Sequence, residues 1–343
     1  MQFKLQKKEK YQRITTIDAH TEGEPLRIIT SGFPEPTGHT ILDKRRDLLE
    51  NYDHLRQLIM FEPRGHADMY GALITKPERP DSDFGILFMH NEGYSSMCGH
   101  GIIATVATAV ECGDISLQPG QEKTINIDSP AGKITAYAKY AEPQAEISFD
   151  CVPSFVEILD QHIEIDGFGT VPYDIAFGGA YYAYVDADVI GIDCSPENVE
   201  QLIQLGRKIK HAVMDSYSLN HPEHADLSFL YGTIFTSSNT TDPNNHSRHV
   251  CIFADGEVDR SPTGTGVSGR IALLVTKGAA VLNQELTIES IISSNMKVTA
   301  VSNANCGNKS GVIPRVSGWA FITGQHEFLL DPEDPIEFGF ILR

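Results

Sequence analysis

Positive charge is scarce in this chain. Its 343 residues include 27 lysines and arginines against 46 aspartates and glutamates, which gives a formal net charge of −19. Nucleic-acid binding depends on clustered basic side chains that neutralise phosphates, so this composition argues against a nucleic-acid partner. It does not argue against a small anionic ligand, because local backbone N–H groups can bind an anion whatever the global charge.

Long apolar runs and paired cysteines are also missing. No stretch approaches the length of about 18 apolar residues that a membrane span needs, and no apolar segment follows the basic residues near the start as in a secretory signal. The six cysteines are scattered, with no C-x-x-C pair. This pattern is typical of reduced thiols in a cytoplasmic enzyme rather than of a disulfide framework or a zinc site. We therefore expect a cytoplasmic protein that binds neither metal nor membrane.

One short phrase occurs twice, separated by about half of the chain. Residues 96–101 read SMCGHG and residues 261–266 read SPTGTG, so both fit S-x-[CT]-G-x-G. An apolar run that is compatible with a helix follows each copy. A glycine-rich turn at a helix start presents free N–H groups and the positive end of the helix dipole, which together bind an anion. The repeat predicts a duplicated fold with one ligand between its halves.

The rest of the chain reads as many short strands with few helices, which indicates an α+β protein. The duplication places the division near residue 165. We expect a first half over residues 1–165, which carries Cys98, and a second half over residues 166–329, which carries Thr263. The tail 330–343 is a candidate to return to the first half. Between the strands of the first half, residues 43–58 have leucines at helical spacing and predict one helix.

The two copies differ at the position that matters for chemistry. Cys98 is a thiol at a predicted helix start, where the pKa of a cysteine can be lowered from about 8.5; the alternative is a buried structural cysteine. Thr263, at the matched position, carries a hydroxyl that is no base near neutral pH without an activating partner. Asp259 is a candidate to accept from a ligand cation, or else a turn aspartate that pairs with Arg260.

Two further patterns have weaker support. Residues 264–269 match the G-x-G-x-x-G of dinucleotide-binding folds, with Glu285 about 20 residues on, but no strand–helix–strand units surround them. We interpret the match as a coincidence. The pairs His221/His224 and His246/His249 lack further ligands at metal-binding spacing, so we interpret them as solvated loop histidines.

Three segments together resemble the proline racemase family. These are residues 97–101 (MCGHG), residues 259–266 (DRSPTGTG) and residues 18–25, which read D-x-H-T-x-G-E-P. The similarity extends from about residue 14 to the C-terminus. It implies a diaminopimelate-epimerase-like fold of two pseudo-symmetric halves, each with a mostly antiparallel sheet wrapped around a central helix. It also implies an active site between the halves and no cofactor.

The resemblance carries roles to particular residues. The family's racemases and 4-hydroxyproline epimerases place one thiol on each face of the substrate α-carbon, whereas this chain has Cys98 and Thr263. That pairing is similar to the branch that dehydrates trans-3-hydroxy-L-proline. The resemblance then implies a small imino-acid substrate, with Cys98 and Thr263 as the catalytic pair. The substrate contacts that it implies are Gly99, His100, Asp259, Gly264 and Thr265.

The departure from two thiols makes chemical sense. In trans-3-hydroxy-L-proline the α-hydrogen and the 3-hydroxyl group lie on the same ring face, so one group can remove the proton and return it to the leaving hydroxyl. The product is an enamine that tautomerises to Δ1-pyrroline-2-carboxylate. Three other functions stay open: a racemase or hydroxyproline 2-epimerase, a nucleotide-dependent oxidoreductase, and a non-catalytic imino-acid-binding protein. The sequence does not fix the oligomeric state; a homodimer is compatible with it.

Overall fold

The computed structural model describes residues 8–142 and 144–342. These residues form eighteen strands and six α-helices. The strands of the first part of the chain are β1 (Gln12–Thr21), β2 (Glu24–Ser31), β3 (Tyr70–Thr75), β4 (Phe84–His90), β5 (Gly93–Ser95), β6 (Glu122–Ser129), β7 (Gly132–Ala141) and β8 (Gln144–Asp150). The remaining strands are β9 (Ser154–Ile165), β10 (Gly169–Phe177), β11 (Tyr181–Asp186), β12 (Leu230–Ser237), β13 (Ser247–Phe253), β14 (Glu257–Asp259), β15 (Glu285–Glu289), β16 (Asn295–Cys306), β17 (Lys309–Gly318) and β18 (Ala320–Leu330). The helices are α1 (Ile41–Asn51), α2 (Asp53–Met60), α3 (Gly99–Glu111), α4 (Ala187–Ile190), α5 (Val199–Ser216) and α6 (Gly264–Thr276).

The order of strand pairing is duplicated. In the first copy β2 runs parallel to β3, β3 is antiparallel to β4, β4 forms a hairpin with β5 and runs parallel to β6, and β6, β7 and β8 follow as antiparallel neighbours. In the second copy β11, β12, β13, β14, β15, β16 and β17 repeat the same sequence of parallel and antiparallel pairs. Helix α3 follows the hairpin of the first copy and α6 follows that of the second. The duplicated phrase therefore marks a duplicated fold.

Each of these two helices lies inside the strands of its own copy. Helix α3 packs against β1, β2, β7, β8 and β18, and α6 packs against β9, β10, β11, β16 and β17. Both helices are apolar on nearly all sides, as a central helix must be. The outer helix α5 instead buries one stripe, which includes Leu202, Leu205 and Ile209. The predicted α+β fold, with a sheet around a central helix in each half, is confirmed.

The two halves exchange strands at their junction. Strand β9 pairs with β10 and with β17, which closes the strands around α6. Strand β8 also pairs with β17. Strand β18 pairs with β1 from Gln12 to Thr21, so Ala320–Leu330 lies against the first half. The division near residue 165 stays a prediction, and these pairings place β9 with the strands that follow it.

Two local predictions were wrong. The single helix expected over residues 43–58 is two helices, α1 and α2, which meet at Tyr52; its φ of −133° is not helical. The leucine spacing continues across the break because both helices bury their apolar face in one cluster. His249, expected in a solvated loop, is fully buried in β13. In the part of the chain that the structure describes, no helix has the length and apolar character to cross a membrane.

Candidate active site

The starts of α3 and α6 meet at the centre of the molecule. A Cβ atom on Gly99 would lie 2.6 Å from the Cα of Gly264, and a Cβ on Gly264 would lie equally close to the Cα of Gly99. Only glycine allows two backbones to approach in this way. The first N–H groups of each helix have no acceptor within the helix, and both positive dipole ends point to the same place. The junction is therefore suited to an anion such as a carboxylate.

Cys98 is the residue that caps α3. Its Sγ atom accepts the N–H of Gly101 at 3.1 Å, and the Nδ1 atom of His100 lies 3.3 Å from the same sulfur. The side chain is enclosed, with 4% of its surface exposed. Burial raises the pKa of Cys98 well above that of a free thiol, Asp259 and Glu24 raise it further, and the Gly101 N–H acts in the opposite direction.

The lowered pKa expected from the helix start was therefore wrong for this enclosed geometry. The loss of water around the sulfur outweighs the single N–H donor and the helix dipole. The thiol is held neutral until something in the cavity changes its surroundings.

His100 is held in its neutral form beside this thiol. Burial lowers its pKa to about 4, although Asp259 and a hydrogen bond to the carbonyl of Pro25 favour the charged form. The His100 carbonyl accepts from the hydroxyl of Thr21 at 2.8 Å. The ring is thus a fixed, uncharged hydrogen-bonding group at the start of α3 rather than a second cation.

Thr263 begins α6 with an unusual backbone. Its φ is 69° and its ψ is 100°, a left-handed conformation that a β-branched residue rarely adopts. Its hydroxyl does not cap the helix. Among the described residues, the buried Oγ1 atom has no hydrogen-bond partner. The thiol of Cys251 lies nearby. Burial raises the pKa of Cys251, and Thr263 lowers it. Strain of this kind makes the position a candidate for function.

Asp259 belongs to a buried pair of carboxyl groups. Its Oδ1 atom accepts the N–H of Ser261 at 2.8 Å, and its side chain is in hydrogen-bonding contact with Glu24. Glu24 is fully buried and receives the N–H of Arg260 at 2.7 Å and the Nε of the same residue at 3.0 Å. Burial and Asp259 raise the pKa of Glu24 well above its ordinary value, against the effect of Arg260. Glu24 is therefore held toward its neutral form.

The seven predicted site residues line one cavity: Cys98, Gly99, His100, Asp259, Thr263, Gly264 and Thr265. The cavity is narrow and measures about 20 Å³, room for a water-sized sphere but not for a five-membered ring. The roles assigned to these residues stay predictions.

The sequence analysis missed the wall of this cavity, which is formed by Tyr70, Met97, Tyr182, Tyr231 and Phe253. A signal for two of them was present. Residues 70–75 (YGALIT) and 231–236 (YGTIFT) share the pattern Y-G-x-[LI]-[IF]-T, so the duplication includes the strands that carry Tyr70 and Tyr231. Met97 lies in the phrase MCGHG but was not assigned to the site, and Tyr182 and Phe253 follow no pattern that marks them.

The dinucleotide and metal patterns find no structural support. Residues 264–269 lie inside α6, with Gly264 as its first residue, and not in a loop between a strand and a helix. Within residues 8–142 and 144–342, no group of three or more histidine, cysteine or acidic side chains is arranged to hold a metal ion.

Solved structures with this fold define the class of protein. A hydroxyproline epimerase from Agrobacterium vitis with bound trans-4-hydroxy-L-proline superposes with a TM-score of 0.90 at 28% identity, over 96% of this chain and 96% of that one. A probable proline racemase from Agrobacterium radiobacter with bound carbonate superposes with a TM-score of 0.89 at the same identity and coverage. The duplicated fold with its site between two helix starts is thus that of the racemases and epimerases of imino acids.

The sequence gives the family directly. The proline racemase family model matches residues 16–341, and the chain belongs to this family. A trans-3-hydroxy-L-proline dehydratase from Colwellia psychrerythraea is 53% identical over 98% of this chain and 94% of its own length. A human protein of the same name is 42% identical over 96% of this chain and 95% of its own length.

Proposed function

We propose that this chain dehydrates trans-3-hydroxy-L-proline to Δ1-pyrroline-2-carboxylate. The observation that carries the proposal is the asymmetry of this narrow cavity, which is lined by a thiol from one helix start and a threonine from the other. Relatives at 42–53% identity have the name of this dehydratase, whereas the epimerase structure is 28% identical. The chain is accordingly a hydro-lyase that acts on a small imino acid.

Substrate binding uses the charges of an amino acid. The carboxylate lies against the free N–H groups at the starts of α3 and α6, which meet because Gly99 and Gly264 let the two backbones approach each other. The ring nitrogen, which is cationic in the free substrate, lies toward Asp259. Because the cavity of about 20 Å³ cannot accept the ring as it stands, the two halves must separate to admit the substrate and close again around it.

Cys98 then acts as the base of the elimination. Its thiolate removes the α-proton, and the negative charge that develops on the carboxylate side of the substrate is stabilised by the helix-start N–H groups. The bond between C3 and oxygen breaks on the same ring face, and the hydroxyl group leaves as water once it receives a proton. The enamine that remains tautomerises to the cyclic imine.

Thr263 closes the opposite face of the ring. A threonine hydroxyl is too weak a base to take a proton there and no strong acid to deliver one. Its unpartnered Oγ1 atom is available to hydrogen-bond the substrate. Without a second acid or base the α-centre is not inverted, which favours elimination over racemisation.

The test is an assay for the imine. Purified protein incubated with trans-3-hydroxy-L-proline is expected to yield a product that o-aminobenzaldehyde traps as a coloured adduct. Protein without imine formation that instead inverts L-proline or a 4-hydroxyproline isomer would be a racemase or epimerase, and the proposal would be wrong. Cytoplasmic location and a homodimer stay predictions.

A further inference from the structure

The duplicated tyrosines place two phenol groups next to the reacting thiol. Tyr70 begins β3, Tyr231 lies at the matched position of β12, and their hydroxyl oxygens are 3.3 Å apart. Tyr70 also donates to the Oγ atom of Ser95 at 2.5 Å. Both phenols line the cavity that holds Cys98, and the Tyr70 hydroxyl lowers the pKa of the Cys98 thiol against the rise that burial causes. Of the two phenols, Tyr70 is therefore the one placed to act on the thiol.

Tyr70 is built to stay protonated. It is 3% exposed, and burial raises its pKa well above its ordinary value, with the Cys98 thiol acting in the same direction. A phenol in this state donates a hydrogen bond and does not act as a base near neutral pH. Its ring packs edge-on against His100, with centroids 4.8 Å apart, which fixes the hydroxyl in position.

The α-hydrogen that Cys98 removes and the 3-hydroxyl group are on the same ring face. Cys98 would otherwise have to take a proton from carbon and deliver it to oxygen from one sulfur position. A phenol donor that lines the same cavity as the sulfur separates these two tasks.

We propose that the Tyr70 hydroxyl delivers the proton to the departing 3-hydroxyl group and is reprotonated by the Cys98 thiol; this rests on the proposed function. The bond from the α-carbon to hydrogen breaks and its proton forms a bond to Sγ. The bond from C3 to oxygen breaks, and the oxygen takes the proton of Tyr70 and leaves as water. The proton on Sγ passes to the Tyr70 oxygen, which regenerates the thiolate and the phenol.

Two substrates with different leaving groups distinguish the acid role of Tyr70 from the base role of Cys98. Chloride leaves without a proton, so trans-3-chloro-L-proline needs the base and not the acid, whereas the hydroxy substrate needs both. Tyr70→Phe should lower the turnover of trans-3-hydroxy-L-proline by about 10²-fold or more, the usual effect of removing a general acid. Release of chloride from the chloro compound should fall far less. Tyr231→Phe, which removes the matched hydroxyl, should leave the ratio of the two rates close to that of the unmodified enzyme.

Three results would overturn the inference while the proposed function stands. The first is a Tyr70→Phe enzyme that keeps its dehydratase turnover. The second is an equal loss with both substrates, because Tyr70 would then only position Cys98 or the ring. The third is an unmodified enzyme that dehydrates the hydroxy substrate but leaves the chloro compound intact, since removal of the α-proton would then not suffice. Failure of the proposed function itself gives a different result, no imine from the unmodified enzyme. Circular dichroism of each variant verifies the fold.

Discussion

The starts of α3 and α6 derive from one repeated phrase but differ in what their first residues do. Cys98 has an extended backbone, with φ of −144°, and its side chain caps its own helix. Thr263 has a φ of 69° and leaves its helix uncapped, although threonine is an effective N-cap residue. Conformations of this kind cost about 1–3 kcal/mol and occur where function maintains them. The comparison supports the proposal that the two halves keep one scaffold for binding while the acid–base chemistry is confined to the first.

The largest difference between the two helix starts should appear when Cys98 and Thr263 are each replaced by serine. Cys98→Ser replaces the base by a hydroxyl and should reduce dehydration by about 10²-fold or more. Thr263→Ser keeps a hydroxyl at the matched position and should retain most of the turnover. The rates are measured by the imine assay, with circular dichroism as the check on folding. Comparable losses in both variants would contradict the assignment of the base to Cys98 alone.

The second largest effect should come from forcing the two helix starts apart, which should weaken binding of a carboxylate ligand. Gly99→Ala introduces a Cβ atom that would lie 2.6 Å from the Gly264 backbone. Overpacking of this kind costs about 1–3 kcal/mol, so the Kd of pyrrole-2-carboxylate should rise on the order of tenfold. Gly318→Ala, whose added Cβ would meet neighbours at an ordinary 3.5 Å, is the matched control. Unchanged affinity in Gly99→Ala, measured by calorimetry, would show that the carboxylate binds elsewhere.

The rate of alkylation should show that the buried Cys98 thiol stays protonated near neutral pH. Burial raises the pKa of Cys98, so in the free enzyme its thiolate population grows only at pH values above the range of an ordinary thiol. Iodoacetamide should label the exposed Cys112 before Cys98 near neutral pH, and inactivation should accelerate as the pH rises. Peptide mass spectrometry follows both sites. Rapid labelling of Cys98 at pH 7 would mean that the closed geometry does not represent the free enzyme in solution.

The site should tolerate replacement of the Glu24 carboxyl group by an uncharged amide. Because Glu24 is held toward its neutral form, Glu24→Gln mimics that form and should keep turnover within a few fold, whereas Glu24→Ala should not. A carboxyl group whose pKa is raised on folding stabilises the protein most below its unfolded value, near 4.5, and loses that contribution as the pH rises. Glu24→Gln should therefore unfold with a weaker pH dependence above 4.5. An unfolding curve that keeps the original slope would contradict a neutral Glu24 in the folded protein.

The smallest expected effect is a gain of racemase activity. Thr263→Cys places a thiol at the start of α6 and should give slow racemisation of L-proline. The gain stays small because a misplacement of about 1 Å can cost roughly 10²-fold, and the strained backbone at this position suits the present side chain. Chiral chromatography detects the D-proline. A racemase as fast as the dehydratase would show that geometry never limited the second face.

Local patterns and long-range contacts were unequally accessible from the sequence. The glycine-rich phrases predicted both central helices and the Cys98/Thr263 pair, because a helix start is encoded by adjacent residues. The break at Tyr52 was missed because the leucine spacing continues across it. The raised pKa of Cys98 arises from enclosure and from Asp259 and Glu24, which lie far away in the chain. Tyr70 and Tyr231 were detectable as part of the repeat, but that their hydroxyls meet depends on how the two halves pack.

The central claim is that one face of the substrate has an acid–base group and the other has none. The most direct measurement supplies L-proline to the unmodified enzyme in deuterium oxide and determines both the deuterium content and the configuration of the recovered amino acid. The account predicts deuterium at the α-carbon with retention of the L configuration. Efficient formation of D-proline would contradict it, because Thr263 or a group beside it would then serve the second face as a competent acid.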